Sequence, residues 1–282
     1  MAPRDLLLLF LLSAVWGASF ILIKISGASF PPAWIALLRL AFGTSVLAVA
    51  MRIRRAPAPP RSMFPSLLAL AVLNNAVPFT LIAWGEHTIP SGVASILNAT
   101  TTLWSLIFSF AIAGTSRSWK TIGGVVIGFA GVGIAVFSAG QHPGAIRAEG
   151  VILVALGALS YAAATALAKA KLRNLNPLGF ATTQLAVATA LMIPVALLGP
   201  APSAVTTQSI AAIATLGILG TGVAYLGYYQ LLARVSAVQV QAVTYILPVW
   251  GLFWGFLAGE PIGWLAAVGV GVVLAGLALL QR

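Results

Sequence analysis

The sequence predicts an all-α integral membrane protein, with ten transmembrane helices arranged as two inverted five-helix repeats. Three observations predict this fold class: the composition, the lengths of the apolar runs, and an internal repeat. Of the 282 residues, 60% are hydrophobic and only 7% are charged, whereas soluble domains carry about 25% charged residues. The formal net charge of +11 falls mostly in short gaps between apolar runs, where it reports membrane orientation and not binding to nucleic acid.

Ten apolar runs are long enough to cross a hydrocarbon layer of about 30 Å, which takes roughly 20 helical residues. They are expected at about 5–26, 32–51, 65–85, 91–113, 119–138, 148–170, 176–199, 208–233, 236–258 and 261–281. The gaps between them are short and carry proline, glycine or charge, as in "RIRRAPAPPRS" after the second run. We therefore expect no soluble domain, and the lipid bilayer is the expected surrounding of the chain.

Lysine and arginine are distributed unevenly between the two ends of these spans. If the N-terminus is inside, the cytoplasmic ends hold most of the 15 basic residues, while the outer ends hold only Lys24 and Arg147. Cytoplasmic loops of membrane proteins carry the excess of positive charge. Both termini are therefore expected in the cytoplasm.

The two halves of the chain, 1–140 and 146–282, align without a gap at an offset of 145 residues. Besides many alanine and leucine matches, the coinciding pairs include Lys24 with Lys169, Pro32 with Pro177, Trp119 with Trp264, and Gly131 with Gly276. Because five spans is an odd number, the second copy must be inverted relative to the first. Inverted repeats are typical of alternating-access transporters, whose substrate site lies near mid-membrane between the repeats.

Polar and aromatic residues mark one face of most spans. In the fourth span the polar residues recur every three or four positions and so form one helical face; they are Ser91, Ser95, Asn98, Thr102, Ser105 and Ser109. The residues expected to bind substrate are Trp16, Arg39, Asn74, Asn98, Thr102, Tyr161, Tyr225, Tyr228, Gln241 and Tyr245. Single hydroxyls and amides also bond to helix carbonyls or between helices, so a structural role stays open for each of them.

Pro78 and Pro248 fall inside otherwise helical spans. Proline removes a backbone hydrogen bond and frees a carbonyl, so both are candidate hinges, with static kinks as an equal alternative. The fifth and tenth spans are instead rich in glycine, valine and alanine, which allows close helix packing. We expect this packing within a monomer; a homodimer through the same spans is the alternative.

The four acidic residues, Asp5, Glu86, Glu149 and Glu260, are expected at span ends or in connections. Proton-driven cation exporters use a buried carboxylate, so export of lipophilic cations is disfavoured and proton coupling is expected to be weak or absent. Glu86 and His87 are expected to be a solvated loop pair, with gating or proton sensing as the alternative.

Arg39 is the one basic residue well inside a span. It has two equal interpretations: it binds a substrate carboxylate, or it snorkels toward the outer surface.

The chain offers little for catalysis or for a cofactor. It has no cysteine and only two histidines, too few ligands for a transition-metal site, so no metal, cofactor or catalytic residue is expected. An intramembrane enzyme would need a base at mid-depth beside Ser95 or Ser105, and no histidine or carboxylate is expected there. A pathway lined by aromatics, hydroxyls and amides suits a neutral or zwitterionic small molecule, which leaves amino acids, nucleosides and small sugars open.

Three segments carry a resemblance to a known family: "WGASFILIK" (Trp16 to Lys24), "PPAWIALLRLAFG" (Pro31 to Gly43) and "ILPVWGLFWGFLAGEPIGW" (Ile246 to Trp264). They resemble the EamA-type branch of the drug/metabolite transporter superfamily over nearly the whole chain. The resemblance implies a multi-pass exporter, often of amino acids, in the cytoplasmic (inner) membrane of a bacterium. Within the branch the chain looks most like the aromatic amino acid and methyl viologen exporters.

In the last of these segments, Glu260 is expected to be structural and to cap the start of the last helix. A flippase, or an exporter of lipid-linked sugars, nucleosides or lipophilic cations, is the alternative that the same fold would support.

Overall fold

The computed structural model describes residues 2–113, 119–141, 146–171, 175–232, 234–235, 237–260 and 263–279. Over these ranges the chain forms ten helices: α1 Pro3–Ser26, α2 Pro32–Ile53, α3 Arg61–Gly85, α4 Ser91–Ala113, α5 Trp119–Gly140, α6 Ala148–Lys171, α7 Pro177–Leu198, α8 Thr207–Leu232, α9 Ala237–Leu257 and α10 Trp264–Leu279. Each helix begins and ends within a few residues of a predicted span, which confirms the predicted fold class.

Eight of the helices are long and apolar enough to cross a membrane, and the shorter apolar stretches Val243–Leu257 in α9 and Trp264–Leu279 in α10 complete the set. Large apolar side chains cover the outer surface; Leu198 and Ile53, for example, are 88% and 76% exposed. A soluble protein would not expose so many, because contiguous apolar surface drives association in water. The bilayer accounts for this surface.

Local sequence explains where several helices start. Pro32 and Pro177, equivalent in the two halves, occupy the first turn of α2 and α7, where the missing N–H has no helical partner to lose. Asn176 accepts a hydrogen bond from the Gly179 amide (3.0 Å) and caps α7. Thr206 caps α8 in the same way through the Ser209 amide (3.1 Å).

Pairs of helices pack as the repeat requires: α5 lies along α10, α2 along α7, α1 along α9, and α4 along α6. Glycines make the first of these contacts close. A Cβ added to Gly131 would lie 2.7 Å from the Gly269 carbonyl oxygen, and one added to Gly276 would lie 2.7 Å from that of Gly124. The 145-residue offset converts the first contact into the second, so the glycine-rich helices pack against each other within the chain.

The third helix of each half is interrupted by a π-helical turn, at Val72–Ala76 in α3 and Ile218–Val223 in α8. Adding 145 to the first range gives 217–221, which overlaps the second. In α3 the turn ends just before Pro78, where widening the helix accommodates the missing proline N–H. The sequence predicted an irregularity at Pro78 but gave no sign of the one in α8, which contains no proline.

Candidate substrate site

Arg39 lies in the first half of α2 and is only 8% exposed. Its Nε donates a hydrogen bond to Thr221 Oγ1 (2.9 Å), within the π-helical turn of α8. The guanidinium carbon stands 3.8 Å from the ring centroid of Phe79 in α3, within the range of a cation–π interaction. The interpretation that Arg39 snorkels to the surface is therefore wrong, because both contacts hold its head group between helices of opposite halves.

Aromatic rings extend from Arg39 toward α1. Tyr161 of α6 and Tyr225 of α8 lie close enough to interact electrostatically with the guanidinium, and the Tyr161 ring is 6.5 Å from that of Phe79. From Tyr225 the ring contacts continue through Tyr229 (6.1 Å), Tyr228 (5.7 Å) and Trp16 (5.6 Å). We call Tyr225, Tyr229, Tyr228 and Trp16 the aromatic row.

Among the described residues no carboxylate forms an ion pair with Arg39, although Glu86 lies close enough to act on its charge electrostatically. Within the described ranges the one ion pair joins Arg234 to Asp5 (3.5 Å), at the ends of α8 and α1. Apart from Nε, the guanidinium nitrogens of Arg39 form no hydrogen bond with a described residue. A buried charge without a partner is destabilising by several kcal/mol, so this position is suited to an anionic group that arrives from outside the protein.

The two π-helical turns are each bound by side chains of the opposite half. Gln184, the equivalent of Arg39, donates from Nε2 to Asn75 Oδ1 (2.5 Å) in the turn of α3. Trp16 Nε1 donates to the Gly220 carbonyl (3.2 Å), and Ser160 Oγ donates to the Leu73 carbonyl (2.7 Å). The first two helices of each half thus hold the interrupted helix of the other half and satisfy carbonyls that a regular helix would satisfy internally.

The structure brings together six of the ten residues expected to bind substrate: Trp16, Arg39, Asn74, Tyr161, Tyr225 and Tyr228. Asn74 belongs to this group because its side chain lies beside the Tyr225 hydroxyl. Tyr245 of α9 packs on the same core cluster as Trp16 and Tyr161. Four neighbours that were not among the ten, Asn75, Phe79, Thr221 and Tyr229, complete the group. Asn75, Thr221 and Tyr229 belong to the polar and aromatic residues that mark the third and eighth spans in the sequence, whereas Phe79 is an apolar ring that no polar pattern identifies.

The α4 residues behave differently. Ser95 is fully buried and donates to its own helix at the Gly92 carbonyl (2.6 Å), and its Oγ occupies the space where Gly251 of α9 would carry a side chain. At this end the polar face of α4 therefore packs against protein and not against a water-filled pathway. Asn98 Oδ1 is buried and has no hydrogen-bond partner among the described residues, while neither Asn98 nor Thr102 joins the Arg39 group. The side chain of Gln241 lies outside the described residues.

The end of the molecule where α1 finishes is closed by polar contacts; we call it the far end. Lys24 Nζ donates to the main-chain carbonyls of Glu86 (2.5 Å) and Ile89 (3.0 Å). The Glu260 carboxylate accepts from the amides of Ser91 (2.8 Å) and Gly92 (3.2 Å). Glu260 therefore caps α4, and the expectation that it caps the last helix is wrong, because both of its oxygens point to a different helix.

The structure also contradicts the expectation that Glu86 is solvated. Its side chain is 1% exposed, although the neighbouring His87 is exposed, so the two are not a solvated loop pair. Burial raises the pKa of the Glu86 carboxyl well above its usual range, and the opposing effect of the Lys24 charge is smaller. The interior of the far end thus contains a carboxyl group that favours its neutral form.

The chain matches the EamA-like transporter family over residues 4–137 and again over residues 148–282. The chain belongs to this family. It is a membrane transporter and not an enzyme, and the two matches correspond to the two halves of the fold.

Relatives in the family agree over nearly their full lengths. The inner membrane transporter YedA of Escherichia coli (strain K12) is 28% identical over 94% of this chain and 87% of its own. A probable terminal-alkyne amino-acid exporter of Streptantibioticus cattleyicolor is 26% identical over 95% and 90%. A solved crystal structure superposes with a TM-score of 0.70 at 17% identity, covering 99% of this chain and 96% of its own, which supports the fold alone.

Proposed function

We propose that this EamA-family transporter exports amino acids with uncharged apolar or aromatic side chains, and that Arg39 binds their carboxylate. The observation that carries the proposal is the buried guanidinium of Arg39, which is 8% exposed and forms no ion pair with a carboxylate of the described residues. A carboxylate matches the planar fork of an arginine and can accept two parallel hydrogen bonds from it. The terminal nitrogens that Thr221 leaves unused are suited to this contact.

The surroundings of Arg39 fit the rest of such a substrate. Phe79 and the aromatic row offer apolar faces for a side chain, and edge or face contacts between rings favour an aromatic one. The tyrosine hydroxyls and the Asn74 amide offer acceptors for an ammonium group. The relative from Streptantibioticus cattleyicolor, named as an amino-acid exporter, supports the same substrate class.

We further propose that transport follows alternating access, with the halves 1–140 and 146–282 moving about Pro78 and Pro248. The contacts of Lys24 and Glu260 close the far end, so substrate would enter from the opposite end, where α1 begins and α10 ends. The basic residues concentrated at that end favour a cytoplasmic location for it. The described conformation would then be the one that takes up substrate from the cytoplasm.

The test is counterflow of radiolabelled leucine, phenylalanine and tyrosine into proteoliposomes, with Arg39→Gln and Arg39→Lys beside wild type. Arg52→Gln is the matched control, because Arg52 lies on the same helix and is exposed at its end. Losing charge-assisted hydrogen bonds of about 1.5–3 kcal/mol predicts a rise of roughly tenfold or more in KM for Arg39→Gln. The KM of Arg39→Lys is expected to lie between those of wild type and Arg39→Gln, since lysine keeps the charge but lacks the planar fork of the guanidinium.

A second arm compares leucine with leucinamide, which lacks the carboxylate. We expect leucinamide not to compete with leucine in wild type. Equal competition by leucinamide, or a wild-type KM in Arg39→Gln, would contradict the role of Arg39. No flux of any amino acid would overturn the substrate class and direct the search to nucleosides and lipid-linked sugars.

A further inference from the structure

A carboxyl group is enclosed at the far end without a hydrogen-bond partner among the described residues. Glu86 follows the last residue of α3, and neither of its carboxyl oxygens bonds to a described residue. It lines a cavity of about 200 Å³ together with Ile23, Lys24, Ala83 and His87. The group is therefore enclosed by protein yet lies beside a space that leads toward the surface.

Lys24 lies beside Glu86 but bonds to the main chain. Its ammonium binds the main-chain carbonyl of Glu86 and that of Ile89, and no ion pair joins it to the Glu86 carboxylate within the described residues. These two bonds tie the end of α1 to the connection between α3 and α4. An ionised carboxylate accepts hydrogen bonds from an ammonium more strongly than a neutral carbonyl does, so ionisation of Glu86 would draw Lys24 away from that tie.

The other charged and titratable groups around Glu86 come from several elements. They are Lys24 on α1, Arg39 on α2, His87 on the same connection and Glu260 ahead of α10. At the start of α6, which packs closely on Gly85 through Gly150, Arg147 and Glu149 are exposed. The nearby cations favour ionised Glu86 and Glu260 opposes it, but desolvation by burial is the largest effect and favours the neutral acid.

We propose that Glu86 is a proton-binding site whose protonation holds the far end closed and whose ionisation releases it. In the closed form the neutral carboxyl group of Glu86 is compatible with its enclosed position, and Lys24 keeps its hydrogen bonds to the two main-chain carbonyls. When the far end opens, Glu86 becomes hydrated and ionises, and Lys24 is free to leave the carbonyls. Closure therefore takes up one proton, and the pH on the side of the far end regulates access to the transport pathway.

The direction of the pH effect follows from linkage. The pKa of Glu86 is raised in the closed form, so the stabilisation of that form is fully present below the pKa of the hydrated, open form. It is lost as pH rises through the raised pKa of the closed form. Between the two values the closed-to-open equilibrium changes by at most about tenfold per pH unit, as expected for one proton.

The experiment uses the absence of cysteine in the native chain. A single cysteine is introduced as Ala83→Cys, a position that lines the cavity and is 1% exposed. The protein is placed in lipid nanodiscs, so that a water-soluble maleimide reaches both faces, and the labelling rate is measured from about pH 5 to pH 8. Ala201→Cys, exposed in the connection between α7 and α8 at the same end and outside the cavity lining, corrects for ionisation of the thiol itself. No substrate is present, so the result does not depend on the proposed amino-acid cargo.

We expect the corrected labelling rate of Ala83→Cys to rise with pH by up to about tenfold per unit. In the Glu86→Gln background it should stay low and flat, because the amide imitates the neutral acid. Glu149→Gln, which removes an exposed carboxylate near the same end, should keep the wild-type profile. A pH-independent rate in wild type, or a wild-type slope in Glu86→Gln, would overturn the proposal.

If Glu86→Gln does not yield folded protein, His87→Gln decides between the two adjacent titrating groups. A pH profile that persists in His87→Gln supports Glu86 as the proton site. A profile that disappears in His87→Gln assigns the titration to the histidine and overturns the proposal.

Discussion

Thr44 on α2 and Thr189 on α7 are 145 residues apart in sequence, and their hydroxyl oxygens are hydrogen-bonded at 3.1 Å. The Thr189 hydroxyl donates its single proton to the Leu185 carbonyl (2.8 Å), so Thr44 is the donor to Thr189. Two residues that are equivalent by the repeat and also touch must lie at the axis that relates the halves. The offset read from the sequence thus marks a physical symmetry axis between α2 and α7.

This pairing predicts a measurable coupling between the two threonines. Thr44→Val removes the donor, and Thr189→Val removes the acceptor, so a double-mutant cycle isolates their interaction. Interhelical hydrogen bonds in membrane proteins contribute about 0.6 kcal/mol on average, and we expect a coupling of that size in the free energy of unfolding by SDS. Ser45→Ala is the control, because the Ser45 hydroxyl donates to its own helix at the Ala41 carbonyl and forms no other hydrogen bond with a described residue. Additive effects of the two valine substitutions would contradict the pairing.

The packing of α5 on α10 predicts that two glycines in the same helix respond in opposite ways to alanine. A Cβ at Gly131 would lie 2.6 Å from the Val273 amide nitrogen, while a Cβ at Gly133 would meet nothing within 4 Å. Gly131→Ala should destabilise the protein by about 1–3 kcal/mol, as overpacking does. Gly133→Ala should be neutral or stabilise by up to about 1 kcal/mol, because alanine favours helix over glycine. Thermal unfolding in detergent measures both, and equal effects would show that the glycine contact is not close.

The cap formed by Glu260 predicts a second matched pair. Glu260→Ala leaves the amides of Ser91 and Gly92 without an acceptor, and loss of such caps costs about 0.5–2 kcal/mol. Glu260→Gln keeps one acceptor oxygen, so its free energy of unfolding should lie between those of Glu260→Ala and wild type. Glu149→Ala, an exposed acidic residue in the first turn of α6, should change the free energy of unfolding by less than about 0.5 kcal/mol. A loss in Glu149→Ala as large as that in Glu260→Ala would point to a general charge effect.

The lengths of the apolar runs were sufficient to predict the helices, because each span needs an apolar run of a minimum length to cross the bilayer. The same pattern could not predict the burial of Glu86, since that burial depends on how α1, α3 and the chain around Glu260 close over it. It also could not predict that Asn98 and Asn74 have different surroundings. Both lie on polar faces of spans, but α4 turns part of that face toward α9 while Asn74 lies beside Tyr225. Non-local packing decides which polar residues face the pathway.

The last prediction concerns the π-helical turn of α8. One tryptophan donates a hydrogen bond to a carbonyl in this turn, and a second tryptophan donates a similar bond to a carbonyl in a regular helix, which makes the second a matched control. Trp16 Nε1 donates to the Gly220 carbonyl in the turn (3.2 Å), and Trp254 Nε1 donates to the Ala14 carbonyl in the regular helix α1 (3.1 Å). Replacing either by phenylalanine removes one hydrogen bond and keeps most of the ring. The Ala14 carbonyl lies within α1, where a regular helix bonds its carbonyls internally, whereas a carbonyl in a π-helical turn depends more on an external donor.

We therefore expect Trp16→Phe to lower the transport rate several-fold in proteoliposomes and Trp254→Phe to leave it near wild type. In the free energy of unfolding both should lose no more than about 1–2 kcal/mol. If the turn is a fixed irregularity and takes no part in transport, the two variants will transport alike once their stabilities are matched. A selective defect in Trp16→Phe would instead tie the binding of the turn by α1 to the movement of one half against the other.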